Sequence, residues 1–157
     1  MTLVAVADAG PLIHLSEIGS LDLLSHIDTL YIPDTVADEL EAGRNPDELT
    51  ETDHEIVSAP DNRSHGTDID PGERAALAVA VDRDALLLTD DLAARDAAKA
   101  SGVEVHGSIG IIALAYSRGT LDRADAAEQM RSLQYDTSLF VTEAVIEQGI
   151  EMLDRDR

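Results

Sequence analysis

The chain has no cysteine and no tryptophan, a single phenylalanine, three tyrosines and a single lysine. Without cysteine there is no disulfide framework, no thiol nucleophile and no zinc site built on thiolates. Tyr31, Tyr116, Tyr135 and Phe140 are too few and too scattered for a base-stacking platform to be expected. No apolar run approaches the roughly 20 residues of a membrane span. The apolar opening Met1–Ala7 lacks a basic flank and meets Asp8 early, so neither a signal peptide nor a membrane association is expected, and the expected location is cytoplasmic. The five histidines, His14, His26, His54, His65 and His106, show no HExxH spacing, and the sequence reads them as structural or exposed.

What the chain has in excess is acid. Twenty Asp and twelve Glu stand against ten Arg and one Lys, a formal charge of −21. Such a balance ordinarily argues against a nucleic-acid partner. Here the acids run along the whole length, and the apolar pattern beneath them is intact. That distribution matches the proteome bias of extreme halophiles, in which molar salt shortens the screening length to about 3 Å. On this reading the charge reports the solvent and not the ligand. The 157 residues, 44% of them apolar, predict one domain over 1–157 with a sizeable core and a C-terminal helical tail from about residue 122.

Along the chain, Thr2–Ala7 reads as a short buried strand ending at Asp8, and Pro11 opens a helical stretch that Leu21–Ile27 continue past Gly19. Thr29–Ile32 is a second strand, and Pro33-Asp34 starts a helix carrying Val36, Glu39 and Leu40. Residues 44–72 are polar, with a brief strand at Ile56-Val57 and the most mobile loop expected at Ser64–Thr67. Pro71-Gly72-Glu73 begins a helix whose Ala75–Val81 are too small and apolar for a surface position. Ala85–Thr89 is a strand ending at Asp90-Asp91, Leu92–Ala100 a helix, and Val103–Val105 the last strand. Ser108 is expected to cap the helix that follows, and two amphipathic helices are expected over 122–134 and 138–153. The alternation predicts an α/β fold, a three-layer α/β/α sandwich with a mainly parallel central sheet. The apolar helices near 11–27 and 71–81 are candidates for a dimer face.

In open α/β sheets, ligands sit beyond the carboxyl ends of the strands. Asp8 and Asp90-Asp91 stand at such ends, Glu73 opens a buried helix, and Glu39 lies on the helix after the second strand. Any one of these acids taken alone has an ordinary explanation: Glu73 as an acid in a first helical turn, Asp91 as an N-cap. Gathered at one rim they would repel and rise in pKa unless a hard divalent cation sat among them, and oxygen donors favour Mg²⁺ or Mn²⁺.

These segments resemble PIN-domain ribonucleases, above all the short prokaryotic members related to VapC-type toxins. Val6-Ala7-Asp8-Ala9-Gly10-Pro11-Leu12-Ile13 resembles the family's first-strand motif, and Ile32-Pro33-Asp34-Thr35-Val36-Ala37-Asp38-Glu39-Leu40 the helix that brings the second acid. Pro71–Ala80 is similar to the third-acid segment, with Glu73 where many relatives have Asp. Leu88-Thr89-Asp90-Asp91-Leu92-Ala93-Ala94-Arg95 is similar to the fourth, and Gly107–Ile112 to a turn found in one subgroup. The resemblance implies metal ligation and catalysis by Asp8, Glu39, Glu73 and Asp91. Asp90 is a further metal-ligand candidate beside Asp91. Adjacent residues at a strand end point in different directions; the resemblance favours Asp91, because the family's fourth acid usually sits two residues after a Thr or similar residue, here Thr89. One departure is Gly10, where many relatives carry Ser or Thr.

The resemblance further implies Mg²⁺- or Mn²⁺-assisted hydrolysis of RNA phosphodiester bonds by the toxin half of a type II toxin–antitoxin system. It implies a homodimer and a small antitoxin protein as partner. Arg44, Arg63, Arg74 and Arg95 are candidates for contacts to the RNA backbone, each equally explained as a surface ion-pair partner. The alternative within the family is a non-catalytic PIN-fold binding protein. A phosphotransfer receiver or haloacid-type phosphatase fits poorly. There is no acidic pair after the first strand and no lysine after the last, and Gly10 occupies the place of a second Asp.

Overall fold

A computed structural model describes residues 2–60 and 69–155. The expected loop Ser64–Thr67, with Arg63 and His65, lies outside the described residues. Strand β1 (Val4–Ala7) is followed by α1 (Ala9–Glu17), β2 (Thr29–Pro33), α2 (Asp34–Ala42), β3 (Glu55–Val57) and α3 (Pro71–Arg83). Then come β4 (Leu86–Leu88), α4 (Leu92–Ala100), β5 (Val105–His106), α5 (Ser108–Ser117), α6 (Arg123–Tyr135) and α7 (Glu143–Arg155). Every pairing in the five-stranded sheet is parallel, in the order β3-β2-β1-β4-β5.

The reason lies in β1. Its alternation sends Ala5 and Ala7 to one face and Val6 to the other, and all three are fully buried. A strand covered on both sides belongs in a parallel sheet between two helical layers. On one side Ala5, Ala7, Leu30, Ile32 and Leu88 pack with α1, α2, α5, α6 and α7. On the other, Val6, Leu87 and Val57 pack with α3 and α4. The result is the three-layer α/β/α sandwich. The order also fixes where a ligand fits: β2 and β3 extend from one side of β1, and β4 and β5 from the other. The chain therefore reverses direction across the sheet between β1 and β4, the crevice where such folds bind ligands.

Four local expectations are corrected. The stretch after Gly19 is a 3₁₀ helix, Leu21–His26, because Gly19 takes a left-handed φ of 69° that ends α1. The polar segment 44–60 contains a 3₁₀ turn, Asp47–Glu51, which buries Leu49. Ser108 is the first residue of α5 and Gly107 its N-cap; the Ser108 hydroxyl is committed elsewhere, as described below. The last helix begins at Glu143 and not at 138, leaving 136–142 as a connecting loop.

Residues 122–155 are built into the core. Ala126, Ala127, Met130 and Leu133 of α6 join Ile146, Ile150 and Leu153 of α7 in the cluster that covers the sheet. The α3 surface offered as a dimer face is likewise used within the chain: Ala75–Ala80 are at most 2% exposed. Leu12, Leu15 and Leu24 are buried in the same way. Among the described residues no helix is long and apolar enough to cross a membrane.

Candidate active site

At the carboxyl ends of β1 and β4 lies a cavity of about 410 Å³ lined by Asp8, Glu39, Asp70, Glu73, Asp90 and Asp91. Ala9, Gly10, His14, Leu92, Ser138, Leu139 and Phe140 complete its wall. The five acids singled out in the sequence thus come together, joined by Asp70. Among the described residues lining the cavity, none is Arg or Lys. A second cavity of about 440 Å³ lies between β4, β5 and α5; its wall is mainly apolar and offers no set of acids.

Each acid is held by the local logic of its element. Asp8 is the N-cap of α1, where its Oδ1 accepts from the Ala9 N–H (2.8 Å). Its Oδ2 accepts from the Thr89 hydroxyl (3.0 Å), and the Asp91 N–H donates to the same hydroxyl oxygen (3.2 Å). Thr89 is fully buried, so one hydroxyl ties the end of β1 to the end of β4. Asp91 is the N-cap of α4, its Oδ2 accepting from the Ala94 N–H (2.9 Å).

Asp70 and Glu73 form a capping box at the start of α3: Asp70 Oδ1 accepts from the Glu73 N–H (2.9 Å) and Glu73 Oε2 from the Asp70 N–H (3.1 Å). Sequence reasoning missed Asp70, although Asp70-Pro71-Gly72-Glu73 carries the capping-box spacing that signals it. Glu39 reaches the same helix end from α2 and accepts from the Gly72 N–H. A Cβ at position 72 would fall 2.6 Å from Glu39 Oε1, so the missing side chain is what allows this approach.

Asp90 behaves differently. Its Oδ1 accepts from the Ser108 N–H (2.7 Å), and its Oδ2 from the Ser108 hydroxyl (2.6 Å) and from His14 Nδ1–H (2.7 Å). It latches β4 to the start of α5 and to α1, with both oxygens engaged. The neighbouring Gly107 is also required: a Cβ there would lie 2.6 Å from Asp90 Oδ1 and 2.9 Å from an Arg95 nitrogen. His14, read from sequence as structural or exposed, forms part of the cavity wall. Its signal was invisible along the chain, because its partner is 76 residues away. Of the other histidines, His26 pairs with the Thr120 hydroxyl, His54 Nδ1–H donates to the Thr52 carbonyl, and His106 faces Glu104.

The electrostatics follow first from burial and then from acids facing one another. Burial pushes Asp8 up to about 6; the Ala9 N–H and Thr89 hydroxyl oppose this, and Asp70 and Glu39 add to it. Glu73 is raised to about 7, by burial first and then by Asp8, Asp70 and Asp91. Glu39 is raised by burial and by Asp70, against the Gly72 N–H. The donors are hard oxygens, and the cavity lacks only positive charge, which fits a hard divalent ion. Among the described residues no three carboxylates or imidazoles stand close enough to grip a bare ion together.

None of the described arginine candidates lines the cavity, though Arg44 donates to the Ser138 hydroxyl of its wall (3.4 Å). Arg44 pairs with Glu17 (3.0 Å), and an Arg74 nitrogen donates to the Ile69 carbonyl (3.3 Å). Arg95 sits against Gly107.

Residues 4–155 match the family model described as DUF3368: PIN domain. The fold is similar to that of a PilT N-terminus domain protein from the archaeon Sulfolobus solfataricus P2, with a TM-score of 0.60 and 15% identity over 76% of this chain and 95% of that one. No curated protein matches.

Proposed function

This chain belongs to the PIN-domain family, a nuclease-type fold, and on that premise we propose that it is a Mg²⁺- or Mn²⁺-dependent endoribonuclease. The supporting observation is that Asp8, Glu39, Glu73 and Asp91, from four separate segments, line one cavity at the reversal point of the sheet. Asp8 and Asp91, joined through Thr89, would hold the metal with Glu39 and Glu73 facing them. A bound divalent ion supplies charge neutralisation of the phosphate and acidification of a water.

The chain's own residues do the rest. Thr89 and the two N-cap bonds fix the carboxylates of Asp8 and Asp91 in orientation before substrate arrives. Glu73 Oε1 accepts no hydrogen bond among the described residues, and it is our choice for the acceptor of the attacking water's proton. Asp90, spent on Ser108 and His14, keeps the β4–α5 corner from moving.

We further propose that the enzyme is the toxin of a type II toxin–antitoxin system, active as a homodimer in the cytoplasm and silenced by a small antitoxin protein. The resemblance to VapC-type sequences is the support for this part.

The test is Mn²⁺ binding by calorimetry and RNA cleavage, both in molar KCl, for the wild type and for Asp8→Asn with Asp91→Asn. Binding and cleavage are expected to vanish together; cleavage surviving in the double variant overturns the assignment. A second reading, metal binding without turnover, draws on Gly10. A Cβ there would meet its neighbours at an ordinary 3.7 Å, so the relatives' hydroxyl is missing for no steric reason. Mn²⁺ binding with no cleavage of any RNA would decide for it.

A further inference from the structure

We propose that Phe140 is a stacking platform for one unpaired nucleobase beside the phosphate taken by the carboxylate cleft; this rests on the ribonuclease reading above. Phe140 is the chain's only phenylalanine, is 95% exposed, and forms part of the cavity wall together with the 77% exposed Leu92. A lone exposed apolar residue means little by itself. This one is held in place.

Its loop is tied down on both sides. Before it, Glu17 of α1 accepts from the Ser138 N–H (3.2 Å) and hydroxyl (2.8 Å), and Arg44 donates to Glu17 (3.0 Å) and to the Ser138 hydroxyl (3.4 Å). The Thr137 hydroxyl donates to the Leu133 carbonyl and accepts from the Leu139 N–H. After it, Thr142 accepts from Val145 N–H and Ile146 N–H at the start of α7. With the backbone on both sides of Phe140 braced in this way, stacking has only the ring's own torsions left to order.

The chemistry of the wall selects the occupant. A nucleotide is the ligand class that offers an anionic phosphate to metal-bearing carboxylates and a flat ring one short linker away. No Arg or Lys is among the described residues that line the cavity, although Arg44 is bonded to Ser138 of its wall. Stacking adds an affinity that tolerates any base and does not depend on ion pairs that salt weakens. The base must be out of a duplex to reach the ring, so a paired strand is expected to gain nothing from it.

The experiment uses the full chain and a single-stranded hexaribonucleotide carrying 2-aminopurine. Binding is read by fluorescence quenching with Ca²⁺ in place of Mg²⁺, and cleavage by KM and kcat with Mn²⁺. Phe140→Ala is expected to abolish the quench and raise KM about tenfold, the ordinary size of one stacking contact, with kcat changing less than twofold. Phe140→Trp is expected to match the wild type and Phe140→Leu to match Phe140→Ala. The same strand within a duplex is expected to be a poor substrate. Mn²⁺ affinity and circular dichroism of the variants serve as the folding control. Wild-type behaviour in Phe140→Leu overturns the platform in favour of a generic apolar contact. An unchanged KM in Phe140→Ala overturns it and leaves the ring as a contact for a protein surface. A wild type that binds Mn²⁺ but neither quenches nor cleaves the oligonucleotide defeats the ribonuclease reading itself, and the platform with it.

Discussion

A buried carboxylate is a source of instability when it is charged, and Asp8 is 6% exposed. Its pKa stands at about 6 in the fold against an ordinary 3.8. Glu73 stands at about 7 against 4.5. Well below pH 3.8 both groups are protonated in the folded and unfolded chain alike, and their stabilising contribution is fully present. Between there and pH 7 the folded protein holds protons that the unfolded chain has released, so stability falls as pH rises. For Asp8 the upward shift corresponds to roughly 3 kcal/mol at most. The melting temperature in EDTA is therefore expected to fall from pH 4 to pH 7, and Asp8→Asn to flatten that slope. Added Mn²⁺ is expected to restore stability at pH 7.5 in the wild type and not in the variant. A pH slope identical in both proteins contradicts the assignment to Asp8.

Helix ends do the assembling at the next scale. The N-termini of α1, α3 and α4 all meet the cavity, and each is capped by an acid that lines it: Asp8, Asp70 and Asp91. Capping and cleft formation are one arrangement, since the acid that satisfies each helix start also lines the cavity. Glu39 is the exception, brought in from the second half of α2 and seated on the first turn of α3 only because residue 72 has no side chain. Gly72→Ala is expected to leave the melting temperature within a few degrees, because the flexible end of Glu39 can swing away. Calorimetry is expected to show Mn²⁺ affinity reduced about tenfold, in the range for lost support of a metal ligand. Unaltered affinity would mean that Glu39 contributes nothing to the ion. The strand–helix alternation was readable because period and caps are local: β1, α3 and α4 fall where the apolar runs, Pro71 and Asp91 indicate. The α7 start was misread because Leu139 and Val141 pack against the core from a loop, which mimics a helical face in the pattern.

At the scale of the molecule, −21 charges on 157 residues repel one another, and few described cations answer them. Arg123–Asp154 and Arg131–Glu147 are ion pairs on exposed surface, worth little individually. Salt is then the main source of relief, since the screening length falls from about 8 Å at 0.15 M to about 3 Å at 1 M. Raising KCl over that range is expected to increase the melting temperature steeply, with a smaller gain above 1 M. Insensitivity to KCl would remove the case for a halophilic adaptation and leave the acidity unexplained.

Sequence alone determined the order of elements, the two-sided burial that makes the sheet parallel, and the placing of Asp8, Glu73 and Asp91 at strand ends and helix starts. All of these are written in short-range periodicity and capping. The tertiary structure decided which neighbour of the Asp90-Asp91 pair is spent on Ser108 and His14, that Asp70 joins the cleft, and that Gly72 admits Glu39. It also decided that a loop 50 residues beyond the last acid carries Phe140 to the same mouth. Those outcomes depend on which segments cross at the reversal of the sheet, and the distance between residues along a chain carries no record of that crossing.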